Sequence, residues 1–571
     1  MILSAVALWK KFNTDGSLNP SEWGETKDDK TNGSYCHVTY SGRVVSDGSV
    51  RIYAQFGKPA KAGKFPAVLL LPDVGRPLQR DLVEYFVAKG YAVLMPDYTG
   101  KTSKDGEGTL RTVYPASLSY AGYDKLQGFS MLGDFSPEHT CWFEWTSVAL
   151  YSIKYLKSRA DISSIGVVGV RTGGEIAWKV MLSPDIACGV PINAVGWTSS
   201  AGVAKFGDNT DINMSEQRHA YIAGVESQSY APFVKCPVLM LCALRDPRYD
   251  VDRAYDTFSR VGNKDANANA IVYSPDSGSC IDPQALRDMD LFLEKNLKGR
   301  EIYIPEGLNV SVKETQEGVL TVAVEGDEEG LLEEVGVYYA EADVHTKSAY
   351  REWQKIYEAD GRTVKDGKFT CSVGRYAGAS AIFVYAYAKY INGFKITSRI
   401  TAKKFPQTDE RAVKNRMLYS GDGLDCFGVF DFEEYSLSGI FLETEALPKM
   451  VKGYGGISGA YSVGGIKTYK ISSPQYIPEE GAMLEFDVYF QRDGEITVSV
   501  ETADVSEGFM RYVCAVPVKG GGKWKRIVLQ AGDLKNEDTA KPLPTFAHGK
   551  SLSFACEDED TQFAVTNILW L

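Results

Sequence analysis

The stretch Ser164-Ile165-Gly166-Val167-Val168-Gly169-Val170-Arg171-Thr172-Gly173-Gly174-Glu175-Ile176-Ala177-Trp178 is where residue types and spacing come closest to a reacting centre. It reads as a buried strand, a sharp glycine-rich turn and a helix. Small residues at 169, 173 and 174 let the strand and helix backbones approach closely. Gly-x-nucleophile-x-Gly is the pattern of a nucleophile elbow, a strained turn that exposes one reactive side chain. The middle position, normally serine, is Arg171. A guanidinium stays protonated at any ordinary pH and cannot form an acyl-enzyme. At a helix N-terminus it could instead pair with a carboxylate of its own chain or hold a carboxylate or phosphate ligand.

The elements that must position this turn are strands and helices in alternation. Residues 1–60 open on a helix-like start and continue as alternating segments, His37–Tyr40 and Val50–Ala54, that suggest a hairpin. Pro66–Leu71 is a continuous apolar strand ending in Pro72-Asp73-Val74-Gly75. A helix is expected near 82–89, and Gly90–Gly100 carries the next strand. Residues 101–135 are polar and glycine-rich and read as an excursion over the carboxyl edge of the sheet. Ser136-Pro137-Glu138 looks like a helix start, with Ser136 as cap and Pro137 first. Trp142, Trp145, Val148, Ala149, Ile153 and Leu156 then recur at spacings of three and four, a core-facing stripe. Apolar strands follow at 187–192, 237–243 and 270–273, and a helix from about 283 to 298 closes the unit. Fully apolar strands alternating with helices predict a mostly parallel sheet with helices on both faces.

From about 301 short alternating strands separated by turns predict an immunoglobulin-like β-sandwich over 301–403. A charged linker is expected at 404–415, and a jelly-roll sandwich over 416–571. With residues 1–300 as the α/β domain, three domains account for the 571 residues. The net charge of −12 argues against nucleic acid or an anionic membrane as partner. No apolar run approaches the length of a membrane span. Met1–Lys10 lacks a basic leader region and a cleavage site and reads as mature protein. The ten cysteines are scattered without Cys-x-x-Cys pairs or zinc spacing, and several, such as Cys236 and Cys242, sit in apolar strands. Reduced core thiols and a cytoplasmic location are expected, with no metal and no cofactor.

Residues 1–300 resemble the dienelactone hydrolase and acetyl xylan esterase branch of the α/β-hydrolase superfamily. The carriers are Phe65–Pro72, Gly90–Asp97, Cys141-Trp142-Phe143-Glu144-Trp145, the elbow, and Asp246-Pro247 with Val251–Tyr255. Residues 301–400 look like the sandwich that follows the hydrolase in some of these proteins. The texture of 416–571 is similar to carbohydrate-binding jelly rolls. The resemblance implies deacetylation of sugars or opening of small esters, and an oxyanion amide supplied around Asp73 and Val74, flanked by Thr172.

In that superfamily the catalytic residues follow in the order nucleophile, acid, histidine. Asp246 fits the acid position, with Asp250 as the second choice. The histidine position falls in the segment 275–282, which holds no histidine; Ser279 stands about where one belongs. Serine offers no base near neutral pH. The five histidines are 37, 139, 219, 345 and 548, of which His139 and His219 are the alternative bases, and Cys280 is a nucleophile only if its pKa were lowered. An Arg171–Asp246 ion pair is expected, because Asp246 would otherwise be a buried carboxylate without its usual partner.

Three functional readings follow, the last of them a purely structural multi-domain protein. In the first, the chain is an esterase-like protein without catalysis, binding or scaffolding in a carbohydrate context, with a carbohydrate or a small acidic ligand as partner. In the second, it is a carboxylic ester hydrolase with a displaced nucleophile. Tyr454, Tyr461 and Trp524 are candidate sugar-stacking residues of the last domain. The acidic turns 422–425 and 557–560 are candidate calcium loops that read more simply as solvated loops.

Overall fold

The computed structural model describes residues 4–571 except 75–77, 79, 101–109, 123–135, 201, 208–213, 266, 276–277, 279, 317–318, 327–330, 377, 407–413, 425, 431–435, 505–507 and 557–561. Helix α1 (Ala5–Trp9) precedes three antiparallel strands, β1 (Ser21–Asp28), β2 (Gly33–Val45) and β3 (Gly48–Pro59). Then come β4 (Phe65–Leu71), α2 (Arg80–Ala88), β5 (Ala92–Asp97), α3 (Cys141–Ser158), β6 (Ile162–Val170), α4 (Thr172–Val180) and β7 (Ile186–Ile192). Helices α5 (Glu216–Gly224) and α6 (Ser227–Tyr230), β8 (Leu239–Ala243), α7 (Ala254–Phe258), β9 (Ala270–Ser274) and α8 (Pro283–Lys298) complete this region.

The nine strands form one sheet in the order β1-β2-β3-β5-β4-β6-β7-β8-β9, parallel from β5 onwards. Strand β4 shows why both faces must be covered. Ala67, Leu69 and Leu71 enter the core under α3 and α4, while Val68 and Leu70 enter the core under α2 and α8. The expected tryptophan stripe is buried against the first face, with Trp145 at 0% exposure. The entry to that helix differs from the expected one. Ser136 makes no side-chain cap bond, Pro137–His139 form a separate 3-10 turn, and Thr140 caps α3 by accepting the Phe143 N–H. Pro137 therefore belongs to the turn, because the Thr140 hydroxyl satisfies the first free amide of the helix. Cys236 lies ahead of β8, and only Cys242 is inside it.

Antiparallel all-β structure makes up the remainder of the chain. In the middle region, Asn309–Gln316, Val319–Glu325 and Lys368–Gly374 form one sheet; Gln354–Asp360, Leu332–Ala342, Ala381–Tyr390 and Lys395–Thr397 form the other, joined by Thr401–Lys404. In the C-terminal region a pair of six-stranded sheets encloses a separate core around Phe486, Phe554 and Trp570. The linker expected at 404–415 falls largely on 407–413, outside the described residues.

The middle sandwich is seated on the loop after β8. Arg351, only 1% exposed, donates to both carboxylate oxygens of Asp252 at 2.6 and 2.7 Å and lies over the Phe383 ring. Arg245 of the same loop donates to the carbonyls of Pro275 and Arg351 and stacks on Tyr469 of the C-terminal region at 3.9 Å. Beside it Glu352 is 1% exposed, 3.8 Å from the Arg245 guanidinium.

Burial pushes Glu352 up from 4.5 to about 7, against the pull of Arg245 and Lys470. The folded chain thus holds this proton more tightly than the unfolded chain, and stability is lost as pH rises from about 4.5 towards 7. Glu352→Gln removes that loss. Its melting temperature should match the parent's near pH 4.5 and exceed it at pH 8, where the gain in stability is on the order of 3 kcal/mol or less. Equal melting temperatures at both pH values would contradict the assignment.

Candidate functional site

The three strand ends of β4, β6 and β8 bring the site together. The turn after β6 is the expected elbow. Arg171 has φ 47° and ψ −109°, a conformation that costs a non-glycine residue about 1–3 kcal/mol and persists only when its surroundings fix it. The fixing groups are on the backbone: the Arg171 N–H donates to the Ile192 carbonyl at 2.8 Å, and its own carbonyl accepts from Glu175 at 2.9 Å. The glycines are needed for close approach. A Cβ on Gly169 would run into the Gly173 carbonyl, and one on Gly173 into the Leu71 carbonyl. Behind the elbow, Glu175 accepts from the Gly196 amide at 2.8 Å and from the Ser227 hydroxyl.

The expected Arg171–Asp246 pair is present: Nε donates to Asp246 Oδ2 at 3.1 Å, and both residues are buried. The other Asp246 oxygen accepts the Arg248 N–H at 2.9 Å. Burial raises the Asp246 carboxyl, and Arg171 opposes it; burial also works against the charge on Arg171, but Asp246 and Asp73 outweigh it and hold the guanidinium protonated. Asp250, the second choice for the acid, is turned away and pairs with Arg253 at 2.9 Å.

Two residues were missed by sequence reading, the Asp73 side chain and Arg248. Asp73 was expected to contribute its neighbourhood's amides. Its carboxylate instead fills them: Oδ1 accepts the Val74 N–H at 2.9 Å and the Thr172 N–H at 3.3 Å. Its other oxygen lies 2.8 Å from Arg248 and 3.6 Å from Arg171. Two carboxylates and two guanidiniums thus balance in charge. The Thr172 hydroxyl is buried without a hydrogen-bond partner among the described residues. The signal in the sequence was charge arithmetic: an arginine at the elbow with one acid and a second arginine, Arg248, just after β8 leaves one cation to be matched.

Beside Arg171 a small cavity is walled by Leu70, Leu82, Met95 and Val170, and closed by the turn Ser438–Ile440 of the C-terminal region. Among the described residues no histidine lines it. His139 and His219 are exposed, on the 137–139 turn and on α5. Ser279 lies outside the described residues; its neighbour Cys280 is a buried thiol. All ten cysteines are thiols rather than disulfides, and among the described residues no group of three or more His, Cys, Asp or Glu side chains is gathered for a metal ion. Of the acidic turns, Asp422 accepts the Ser420 hydroxyl, while 425 and 557–560 lie outside the described residues. No described helix is long and apolar enough to cross a membrane.

Arg171→Met should leave Asp246 charged and buried beside an apolar group, a loss of about 3–5 kcal/mol read as a lowered melting temperature. Adding Asp246→Asn should restore most of it. A double variant as unstable as the single one would show that charge pairing is not what holds the elbow.

Residues 52–278 match the model of the dienelactone hydrolase family. Similar solved structures include an acetyl xylan esterase from Paenibacillus sp. R4, 17% identical, with 51% of this chain and 92% of that chain covered and a TM-score of 0.40. Acetyl xylan esterase 1 from Thermoanaerobacterium sp. JW/SL YS485 is 15% identical, with 49% and 88% covered and a TM-score of 0.37. Est1E from Butyrivibrio proteoclasticus is 15% identical, with 46% and 98% covered and a TM-score of 0.30. No curated protein matches the chain. The stretch 52–278, which carries Asp73, Arg171 and Asp246 on the ends of its parallel strands, is the part of the chain that is similar to the dienelactone hydrolase family.

Proposed function

We propose that this chain is an esterase-fold protein without ester hydrolysis, a binding or scaffolding protein in a carbohydrate context, made of an α/β domain and two β-sandwich domains. One observation carries the reading: the Asp73 carboxylate sits on the Val74 and Thr172 amides. In an acyl-transfer site amides so placed face the oxygen on which negative charge develops. Here that place is taken by a charge already present. Arg171 cannot attack a carbonyl, and an acidic ligand would have to displace Asp73 before reaching the amides.

The carbohydrate side of the reading rests on the C-terminal sandwich. Tyr454 is 59% exposed, and Trp524 lies next to it, its indole N–H donating to the Tyr454 carbonyl and its ring 5.5 Å from Tyr489. Partly exposed aromatic rings with polar edges suit the apolar faces of sugar rings. Tyr461 is half-buried against Phe563 and is the poorer candidate.

With short-chain acyl p-nitrophenyl esters and acetylated xylan the full chain should show no turnover above a buffer control. Steady turnover that a serine- or cysteine-directed inhibitor abolishes would overturn the non-catalytic reading. Calorimetric titration of the full chain with oligosaccharides should show binding weakened at least tenfold by Tyr454→Ala. Unaltered binding in that variant would move the sugar site elsewhere, and no binding across plant and host glycans would remove it.

A further inference from the structure

Residues 436–442 belong by sequence to the C-terminal sandwich, yet they lie on the α/β domain, in front of the elbow. Ser436–Leu437 and Phe441–Leu442 pair as a two-stranded ribbon. Three residues lie between them; the central pair of the turn Leu437–Ile440, Ser438 and Gly439, have φ of 55° and 64°, and the Ile440 N–H donates to the Leu437 carbonyl at 3.0 Å. Positive φ at both central positions is the signature of a tight, primed turn at the tip of a hairpin.

The tip is held from two sides. On one side Asp81, at the start of α2, accepts the Ser438 N–H at 2.7 Å and its hydroxyl at 2.5 Å. On the other side the chain after β9 pairs with the hairpin as if it were a further strand: the Ile281 N–H donates to the Ile440 carbonyl at 2.7 Å, and the Leu442 N–H donates to the Ile281 carbonyl at 2.9 Å. Cys280 donates to the Gly439 carbonyl at 3.6 Å. Phe441 is fully buried in the same apolar cluster as Val170 and Met289. What remains between the tip, Asp73 and Arg171 is about 20 Å³, room for about one water molecule and not for an acyl group.

We propose that the cleft in front of the elbow is a receptor for the chain's own 436–442 hairpin, so that the ligand of this site is a peptide turn rather than an ester. The recognition chemistry is that of strand addition: backbone pairing along Ile281, a carboxylate for the turn's N–H and hydroxyl, and an apolar seat for Phe441. Occlusion does not depend on the identity of residue 171. An elbow refitted with a nucleophile would be covered equally, which takes this inference beyond the loss of catalysis.

The test uses the full chain and two variants that loosen the tip from different sides. Ser438→Pro removes the donated N–H and imposes a negative φ; Asp81→Ala removes the acceptor. N-ethylmaleimide alkylation of Cys280 and phenylglyoxal modification of Arg171 are followed by peptide mass spectrometry. Cys188 and Cys242, buried in β7 and β8, report on the fold. In the parent chain Cys280 and Arg171 should be as protected as those two. In both variants Cys280 and Arg171 should react at least tenfold faster while Cys188 and Cys242 stay protected. Fast reaction of Cys280 in the parent, or unchanged protection of Cys280 and Arg171 in both variants, would overturn the proposal. If Ser438→Pro exposes Cys188 and Cys242 as well, Asp81→Ala alone decides, by the same two outcomes.

Discussion

A guanidinium buried at the tip of a strand-to-helix turn sets the condition that the rest of the site has to meet. Taking one charge out of water costs several kcal/mol unless close partners of opposite sign replace the water. The Arg171 backbone is fixed by Ile192 and Glu175, and its side chain is only 9% exposed. Partners must therefore come to it. They arrive from the neighbouring parallel strands, Asp73 just beyond β4 and Asp246 just beyond β8. Two carboxylates around one cation would overcompensate, and Arg248, on the same loop as Asp246, restores the balance through Asp73. The carboxyl edge of a parallel sheet, where a substrate would ordinarily sit, is filled by the protein's own ions.

The loop that supplies Asp246 also touches both β-sandwich regions. Its Arg245 reaches a carbonyl of the middle sandwich and a ring of the C-terminal one, its Leu244 carbonyl accepts the Ser348 hydroxyl, and its Asp252 holds Arg351. The site and these contacts thus share one short segment.

Most of the α/β frame was legible because its signals are local. Continuous apolar runs such as Phe65–Leu71 can be nothing but strands covered on both faces, and Asp282-Pro283 marks the start of α8 by the chemistry of helix ends. The elbow was legible for the same reason, since three closely spaced glycines between a strand and a helix have few other uses. The start of α3 was not, because Ser136-Pro137 and Thr140 offer equally good capping chemistry and only the packing chooses between them. The site was half legible. Asp246 could be placed by its order after the strand, but the destination of the Asp73 carboxylate depends on a contact across the sheet. The hairpin at 436–442 lies far beyond any local pattern: nothing in Leu437-Ser438-Gly439-Ile440 except its turn-forming pair says that its seat is built from Asp81 and Ile281.

The same network explains why residue 171 cannot be considered alone. With serine there, Asp73 and Asp246 would lose the guanidinium they share, and Asp73 would keep Arg248, whose side chain is 41% exposed. A neutral Asp73 would still sit on the Val74 and Thr172 N–H groups, because a carboxyl oxygen accepts from them in either protonation state. The amides become free only when Asp73 itself is replaced or swings out. Cation at the elbow and acid on the amides are therefore two halves of one arrangement, joined by the contacts of Asp73 with Thr172, Arg171 and Arg248.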